Sequence, residues 1–423
     1  GVAYVHRCFP SLTATFVYRE VQALREAGLR GVNIACKRPD GNEIHDEARP
    51  LVSETDYLPG LASPRCWGAL VMEFLRRPIR FTRLAGKVLA ARWPRPCPHP
   101  LLRSITQIVR SACLARYVRR TPAIRHLHAP FSTEIATVAW MAAELAGRSF
   151  SFASHTACDA RLMPEKLRRA AFVASISRFD RQRLLAQGDK DAAGRIHIVR
   201  CGLALDASPQ SNATQAPPLI LSVGSLIPKK GHDILVEACA ILQRKGTSFA
   251  CAIIGGGPLK ESLAQQIADR ELGDTVSLAG PCDQAEVQQR LRRASVFALA
   301  SRVTDDGDMD GIPVVLMEAM AAGVPCVSTN VSGIPELIEH EKEGLLVPEK
   351  DPQALADAIE RLLNDAVLRD RIRKAAREKI EREFNIRTSA ARLAELFEQA
   401  ITHCASTPSN MRGHRVPVEE GPA

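Results

Sequence analysis

The chain has no apolar run near the roughly twenty residues that a membrane-spanning helix needs, so a helical span is not expected. No secretory leader is expected at the start, because Val2-Ala3-Tyr4-Val5 reads as a first strand and soon meets polar residues. The absent initiator Met is what a trimmed or incomplete chain would show, which leaves a lost leader open. Cys-x-x-Cys pairs are also missing. The 12 cysteines stand singly from Cys8 to Cys404, so neither a zinc site nor a dithiol redox motif is signalled. Several, such as Cys36, Cys251 and Cys326, sit in apolar runs and are expected to be buried free thiols of a reducing cytosol.

Acidic residues are wholly absent from 74–125, a stretch that carries 13 Lys and Arg. The other 43 of the 56 basic residues face 47 acids, so outside this segment the net charge is −4 rather than +9. The segment also lacks regularly spaced aromatics and any nucleic-acid-binding motif, so nucleic acid is not expected as a partner. What it has is amphipathic spacing. A helix could begin at Trp67, and Phe81–Ala91 puts Leu84, Val88 and Ala91 on one side, Arg83 and Lys87 on another. Such helices lie in an anionic membrane interface or serve as an ordinary solvated basic face.

What is present elsewhere is the composition of a globular protein. The chain has 423 residues, 46% hydrophobic and 24% charged, enough for two or three domains. Strand and helix patterns alternate from Val2, with short strands expected near 2–5, 32–36, 125–129, 150–154, 172–176 and 196–199. Leu203–Pro218 has linker composition. A second alternating series starts at Leu219, with strands near 219–223, 250–254, 275–279, 296–299, 325–329 and 344–347, followed by helices 352–363 and 367–383. This predicts two α/β halves with parallel sheets and helices on both faces. The expected division is 1–202 with a basic insertion at 60–125, a linker at 203–218, a second domain at 219–385, a helix at 386–403, and a disordered tail at 404–423.

Within the second half, Asp310-Gly-Ile-Pro-Val-Val-Leu-Met-Glu318 places two carboxylates around a turn that opens a helix. Pro313 suits the first helical turn, so the N–H groups of Val314 and Val315 should point out of a helix end, a ready anion site. A phosphate there, with Asp310 and Glu318 to accept from sugar hydroxyls, would suit a nucleotide-sugar. A buried helix with a solvated acid at its cap would give the same residues.

This stretch resembles the signature of family-4 retaining glycosyltransferases, in which two Glu stand eight positions apart. Leu219-Ile-Leu-Ser-Val-Gly224-Ser225 with Lys229-Lys230-Gly231 resembles the family's strand, turn and phosphate-binding lysine. Ile253-Ile-Gly255-Gly-Gly-Pro258, Val327–Glu336 and Gly344–Pro348 follow in family order. The likeness is close over 219–363 and looser upstream, where it is greatest to enzymes of bacterial exopolysaccharide and colanic-acid assembly. It implies a GT-B fold: two doubly wound Rossmann-like domains facing a cleft at the carboxyl ends of their strands. In that family the last helix, here 387–400, crosses back to the N-terminal half.

The resemblance implies a cytoplasmic retaining transferase acting on a nucleoside-diphosphate sugar and a glycan or lipid-linked acceptor, working without a cofactor or metal. A peripheral position on the inner membrane face, through 74–125, would go with such acceptors. Gly224, Ser225, Ile312, Pro313, Val314 and Val315 would hold the donor; Lys230 would neutralise the β-phosphate; Glu318 would take the ribose; Asp310 and His155 would take the sugar. Ser11, Thr13 and Thr15 would line the acceptor-side loop, although Thr13 is also a natural helix N-cap. Asp159 stands one residue beyond the family's Asp after the histidine. The chain departs from the family at Ser225, where Arg is usual, at Asp310, where Glu is usual, and at Ala14, where an acid is usual. These changes motivate a rival reading as a weakly active or non-catalytic nucleotide- or glycan-binding protein. Asp308-Met309-Asp310 also spells a metal-binding Asp-x-Asp that would hold magnesium or manganese with a diphosphate.

Overall fold

A computed structural model describes residues 1–11, 15–39, 48–93, 97–155, 161–188, 190–205 and 216–406. Thr13, Ala14, Asp159, most of the expected linker and the expected tail from 407 onward lie outside the described residues. The chain divides into two units, one of residues 1–199 with the segment from Arg387, the other Arg200–Ile386.

The first unit is built on a seven-stranded parallel sheet of order β3-β2-β1-β4-β5-β6-β7. Its strands are β1 (Val2–Cys8), β2 (Gly31–Lys37), β3 (Thr55–Tyr57), β4 (His126–Ala129), β5 (Ser149–Ser154), β6 (Phe172–Ser175) and β7 (Ile196–Ile198). Side-chain alternation along each strand separates two faces. Ala3, Val5, Leu127, Ala129, Phe150 and Phe152 join an apolar core with the helix Glu134–Ala146, whose residues from Ile135 on are all buried. The alternate positions carry Tyr4, His6, His126, His128, Ser149 and Ser151. There the ring of Phe397, on the helix Ile386–Ser406, packs edge-on against Tyr4, His126 and His128. The strand β3 was not expected. It is three residues long, carries Asp56, and is held at the sheet edge by its pairing with β2.

The second unit has a six-stranded parallel sheet of order β10-β9-β8-β11-β12-β13. Its strands are β8 (Leu219–Val223), β9 (Ala250–Ile254), β10 (Val276–Gly280), β11 (Val296–Leu299), β12 (Cys326–Thr329) and β13 (Leu345–Val347). The expected linker begins at 203, among the described residues. Leu203 is buried, its N–H donates to the Phe384 carbonyl at 2.7 Å, and its own carbonyl accepts from Ile386. Backbone pairing thus keeps this residue in the second unit.

The basic segment forms three helices, Pro64–Arg76, Pro78–Ala90 and Pro100–Arg120. Their cations are divided. Arg80 pairs with Glu144 at 2.6 Å, Lys87 with Glu165 at 2.7 Å and Arg119 with the buried Glu73 at 2.9 Å. Arg76, Arg77 and Arg83 are exposed and have no carboxylate partner among the described residues. No helix among the described residues is long and apolar enough to cross a membrane.

Candidate functional site

In each sheet the chain reverses its direction of strand addition once, between β1 and β4 in the first and between β8 and β11 in the second. At such a switch point the loops leaving the two carboxyl ends diverge and open a crevice. In the second unit those loops carry most of the residues singled out from sequence.

After β8 the chain turns tightly against its neighbours. The Gly224 N–H donates to the Ile254 carbonyl, and Leu226 N–H to that of Gly256, both at 2.9 Å. Gly255 has φ +149° and a Cβ there would lie 1.9 Å from the Gly224 carbonyl oxygen, so only glycine permits the approach. The short turn Pro228–Lys230 then delivers Lys230 back over Gly224, whose added Cβ would meet the lysine Cδ at 3.3 Å. Gly231, at φ +64°, ends the turn and starts the helix His232–Arg244. His232 is buried under the turn, within 3.4 Å of the Ser222 hydroxyl. Burial pushes its imidazole down to about 4, with the Lys230 charge acting in the same direction, so the ring is neutral at pH 7.

The second loop brings its acid to that lysine. Asp310 Oδ2 lies 2.7 Å from Lys230 Nζ, and its Oδ1 lies 3.6 Å from Lys229 Nζ, which also reaches Asp308 at 3.4 Å. Oδ2 has no well-aligned hydrogen bond, so the contact with Lys230 is chiefly Coulombic. Lys229 therefore supplies a second ammonium beside Asp310. Asp308 and Asp310 face ammonium groups, and the described residues hold no cluster of three or more His, Cys, Asp or Glu suited to a metal.

The helix Val314–Ala321 begins at Pro313, which makes no side-chain cap. The N–H groups of Val314 and Val315 have no acceptor among the described residues, while Leu316 and Met317 donate to the Pro313 carbonyl. Ile312 and Pro313 are buried and fix the entry to this end. Glu318 lies one turn past Val314, on the same helix face. It is buried, and its Oε1 accepts from Gln284 Nε2 at 3.0 Å. Gln284 opens the helix Gln284–Arg293 after β10 and belongs to no recognisable motif, so nothing in the sequence pointed to it.

His155, Ser11 and Thr15 belong to the first unit. The His155 ring lies against Phe16 at 4.7 Å and Phe131 at 5.4 Å between centroids. Burial pushes it down to about 4, so it is a neutral imidazole at pH 7. Thr15 starts the helix Thr15–Glu26, and Ser11 is half-buried.

Residues 206–379 match the family described as glycosyl transferases group 1. The chain is 43% identical over 226 residues to the amylovoran biosynthesis glycosyltransferase AmsK of Erwinia amylovora, covering 53% of this chain and 55% of that one. It is 35% identical over 181 residues to the GDP-mannose-dependent alpha-(1-6)-phosphatidylinositol monomannoside mannosyltransferase of Mycobacterium tuberculosis, covering 43% and 47%. The chain thus spans about half the length of the curated relatives it matches. Its fold is that of HepE from Anabaena, solved with UDP and glucose: TM-score 0.69, 15% identity, 94% of this chain and 99% of that one.

Proposed function

We propose, from the premise that residues 206–379 are a glycosyl transferases group 1 domain in a GT-B fold, that this chain transfers sugar in exopolysaccharide assembly with retention. The donor is a nucleoside-diphosphate sugar, and the acceptor a glycan or lipid-linked glycan. The observation that carries this reading is the pairing of Lys230 with Asp310 beside the open Val314 and Val315 amides, all at one switch point.

The chemistry follows from the charges. A diphosphate entering this crevice competes with Asp310 for Lys230, and the weakly aligned ion pair is readily exchanged for phosphate oxygens. Lys230 and the two amides then meet the β-phosphate, where charge grows as the bond from phosphate oxygen to the sugar C1 breaks. The acceptor oxygen bonds to C1 on the same face, and its proton passes to the departing phosphate oxygen. Released Asp310 accepts from a sugar hydroxyl, while Glu318, held by Gln284, accepts from the ribose. Neutral His155 is suited to hydrogen-bond the sugar without adding a cation. In this reading the lysines and the helix amides carry the diphosphate charge, and no cofactor or metal takes part.

A peripheral position on the cytoplasmic membrane face belongs to the same reading. Ten large apolar side chains are strongly exposed among the described residues, and all but Val367 lie between Trp67 and Leu102. Ile79 is 84% exposed and Leu75 66%, next to the unpartnered Arg76, Arg77 and Arg83. Exposed apolar groups flanked by free cations fit an anionic lipid interface.

The test is mass-spectrometric detection of free nucleoside diphosphate after incubation with UDP-, GDP-, ADP- and dTDP-sugars and a membrane lipid extract, in EDTA and in magnesium. Release in EDTA that depends on the extract and is lost in Lys230→Ala is expected. If no donor is consumed while nucleotide still binds, the protein is a nucleotide- or glycan-binding relative instead.

A further inference from the structure

The switch point of the first unit holds a second cationic crevice, made by different residues. Arg7 stands near the carboxyl end of β1, exposed, and Arg110 is half-buried on the helix Pro100–Arg120. They line one cavity of about 260 Å³ together with Thr106, Gln107, Thr133 and Glu134. Neither guanidinium has a carboxylate partner among the described residues. Both act on the buried Cys36 thiol: burial pushes it up to about 11, and Arg110 and Arg7 pull it the other way. Two guanidinium groups on one cavity wall, neither paired with a carboxylate, favour an entering anion.

Gln107 lies on the same wall. The side chain is 2% exposed, and its Oε1 accepts from Arg161 Nη1 at 2.8 Å. Because a guanidinium only donates, the amide is held in this orientation and cannot flip. Its Nε2 is thereby turned away from Arg161, and it has no acceptor. The cavity also meets the start of the 13-residue helix Glu134–Ala146, where the Thr133 side chain makes no cap. The one carboxylate on the wall, Glu134, is 3.6 Å from Arg103.

We propose that this cavity is a phosphate subsite, taking a phosphate or diphosphate group carried by the acceptor. Arg7 and Arg110 supply the charge, and the start of the helix Glu134–Ala146 the directed hydrogen bonds. That the anion belongs to the acceptor rests on the transferase reading above; that the cavity binds phosphate does not. The group comes either from a lipid carrier diphosphate or from a soluble sugar phosphate, which share this chemistry.

Titration calorimetry of the full chain with inorganic pyrophosphate, without metal and at low salt, tests it. The Lys230→Ala background silences the donor side. Binding of one pyrophosphate is expected to persist there and to weaken about 10- to 100-fold in Arg110→Ala and in Arg7→Ala. Gln107→Glu keeps an acceptor for Arg161 but adds a negative charge to the wall one turn from Arg110, so it should weaken binding at least as much. Arg110→Lys should retain part of it. Should Arg110→Ala fail to fold, Arg7→Ala and Gln107→Glu decide. No pyrophosphate binding in Lys230→Ala, or binding indifferent to Arg7 and Gln107, overturns the proposal. Farnesyl diphosphate binding at least tenfold tighter than pyrophosphate would support the lipid source, and equal binding the soluble one. A protein that releases no nucleoside diphosphate from any donor can still pass this titration, so the two readings fail separately.

Discussion

Lys230 and Asp310 set what single residues are expected to do. In the proposed transferase Lys230→Ala removes the ammonium assigned to the leaving phosphate, and should lower donor turnover by roughly 100- to 1000-fold, read as nucleoside diphosphate released per enzyme. Turnover within threefold of the parent would remove Lys230 from the mechanism. Ser225→Arg should gain little, because Lys229 already places a second cation 3.6 Å from Asp310. A double variant, Ser225→Arg with Lys229→Ala, should restore what Lys229→Ala loses, and donor affinity measured for all three variants checks this. Motif spacing made Lys230, Asp310 and Glu318 legible in the sequence. It could not reveal that the first two are paired, nor that Gln284 holds Glu318, because those contacts join residues 80 and 34 positions apart.

Individual turns and helices carry the next expectations. Gly231 joins two of them at φ +64°, and a Cβ there would fall 1.8 Å from the Ala300 carbonyl oxygen. Gly231→Ala must shift backbone, so it should cost more than about 3 kcal/mol in denaturant unfolding. The helix Pro78–Ala90 tells the opposite story. It buries Phe81, Leu84 and Val88 and leaves Ile79 in solvent. Ile79→Asp with Leu75→Glu should leave unfolding within about 0.5 kcal/mol while cutting co-sedimentation with vesicles of anionic phospholipid about tenfold or more. Unchanged co-sedimentation would refute the membrane role. The amphipathic spacing of this helix was readable from sequence. Which cations it left free was not, because Arg80 and Lys87 are neutralised by Glu144 and Glu165 from distant elements.

Across the whole molecule, acid stability should follow the buried histidines. Burial holds His6 and His126 down to about 3 and His155 and His232 to about 4, and pushes His128 lower as well. An unfolded chain binds these protons from about pH 6.5. Stability is therefore complete above that pH and is lost as pH falls toward the folded values, by up to about 1.4 kcal/mol per histidine per unit. Glu20, which burial pushes up to about 7, has the opposite sign and offsets one histidine between pH 7 and its unfolded value. A falling Tm between pH 6.5 and 4, made shallower by His126→Gln, is expected; a flat profile would contradict it. The sequence by itself determined the alternation of strands and helices, the two-part α/β plan, and the glycine and proline punctuation of the loops after β8, β9 and β11. These depend on neighbours a few positions apart. Only the tertiary structure decided that β3 belongs to the sheet, that Leu203 stays with the second unit, and which charges meet. It also brought Arg7, Gln107 and Arg110 to one cavity. Strand order, not sequence spacing, fixes the switch points, and burial can be assigned only once the faces are packed.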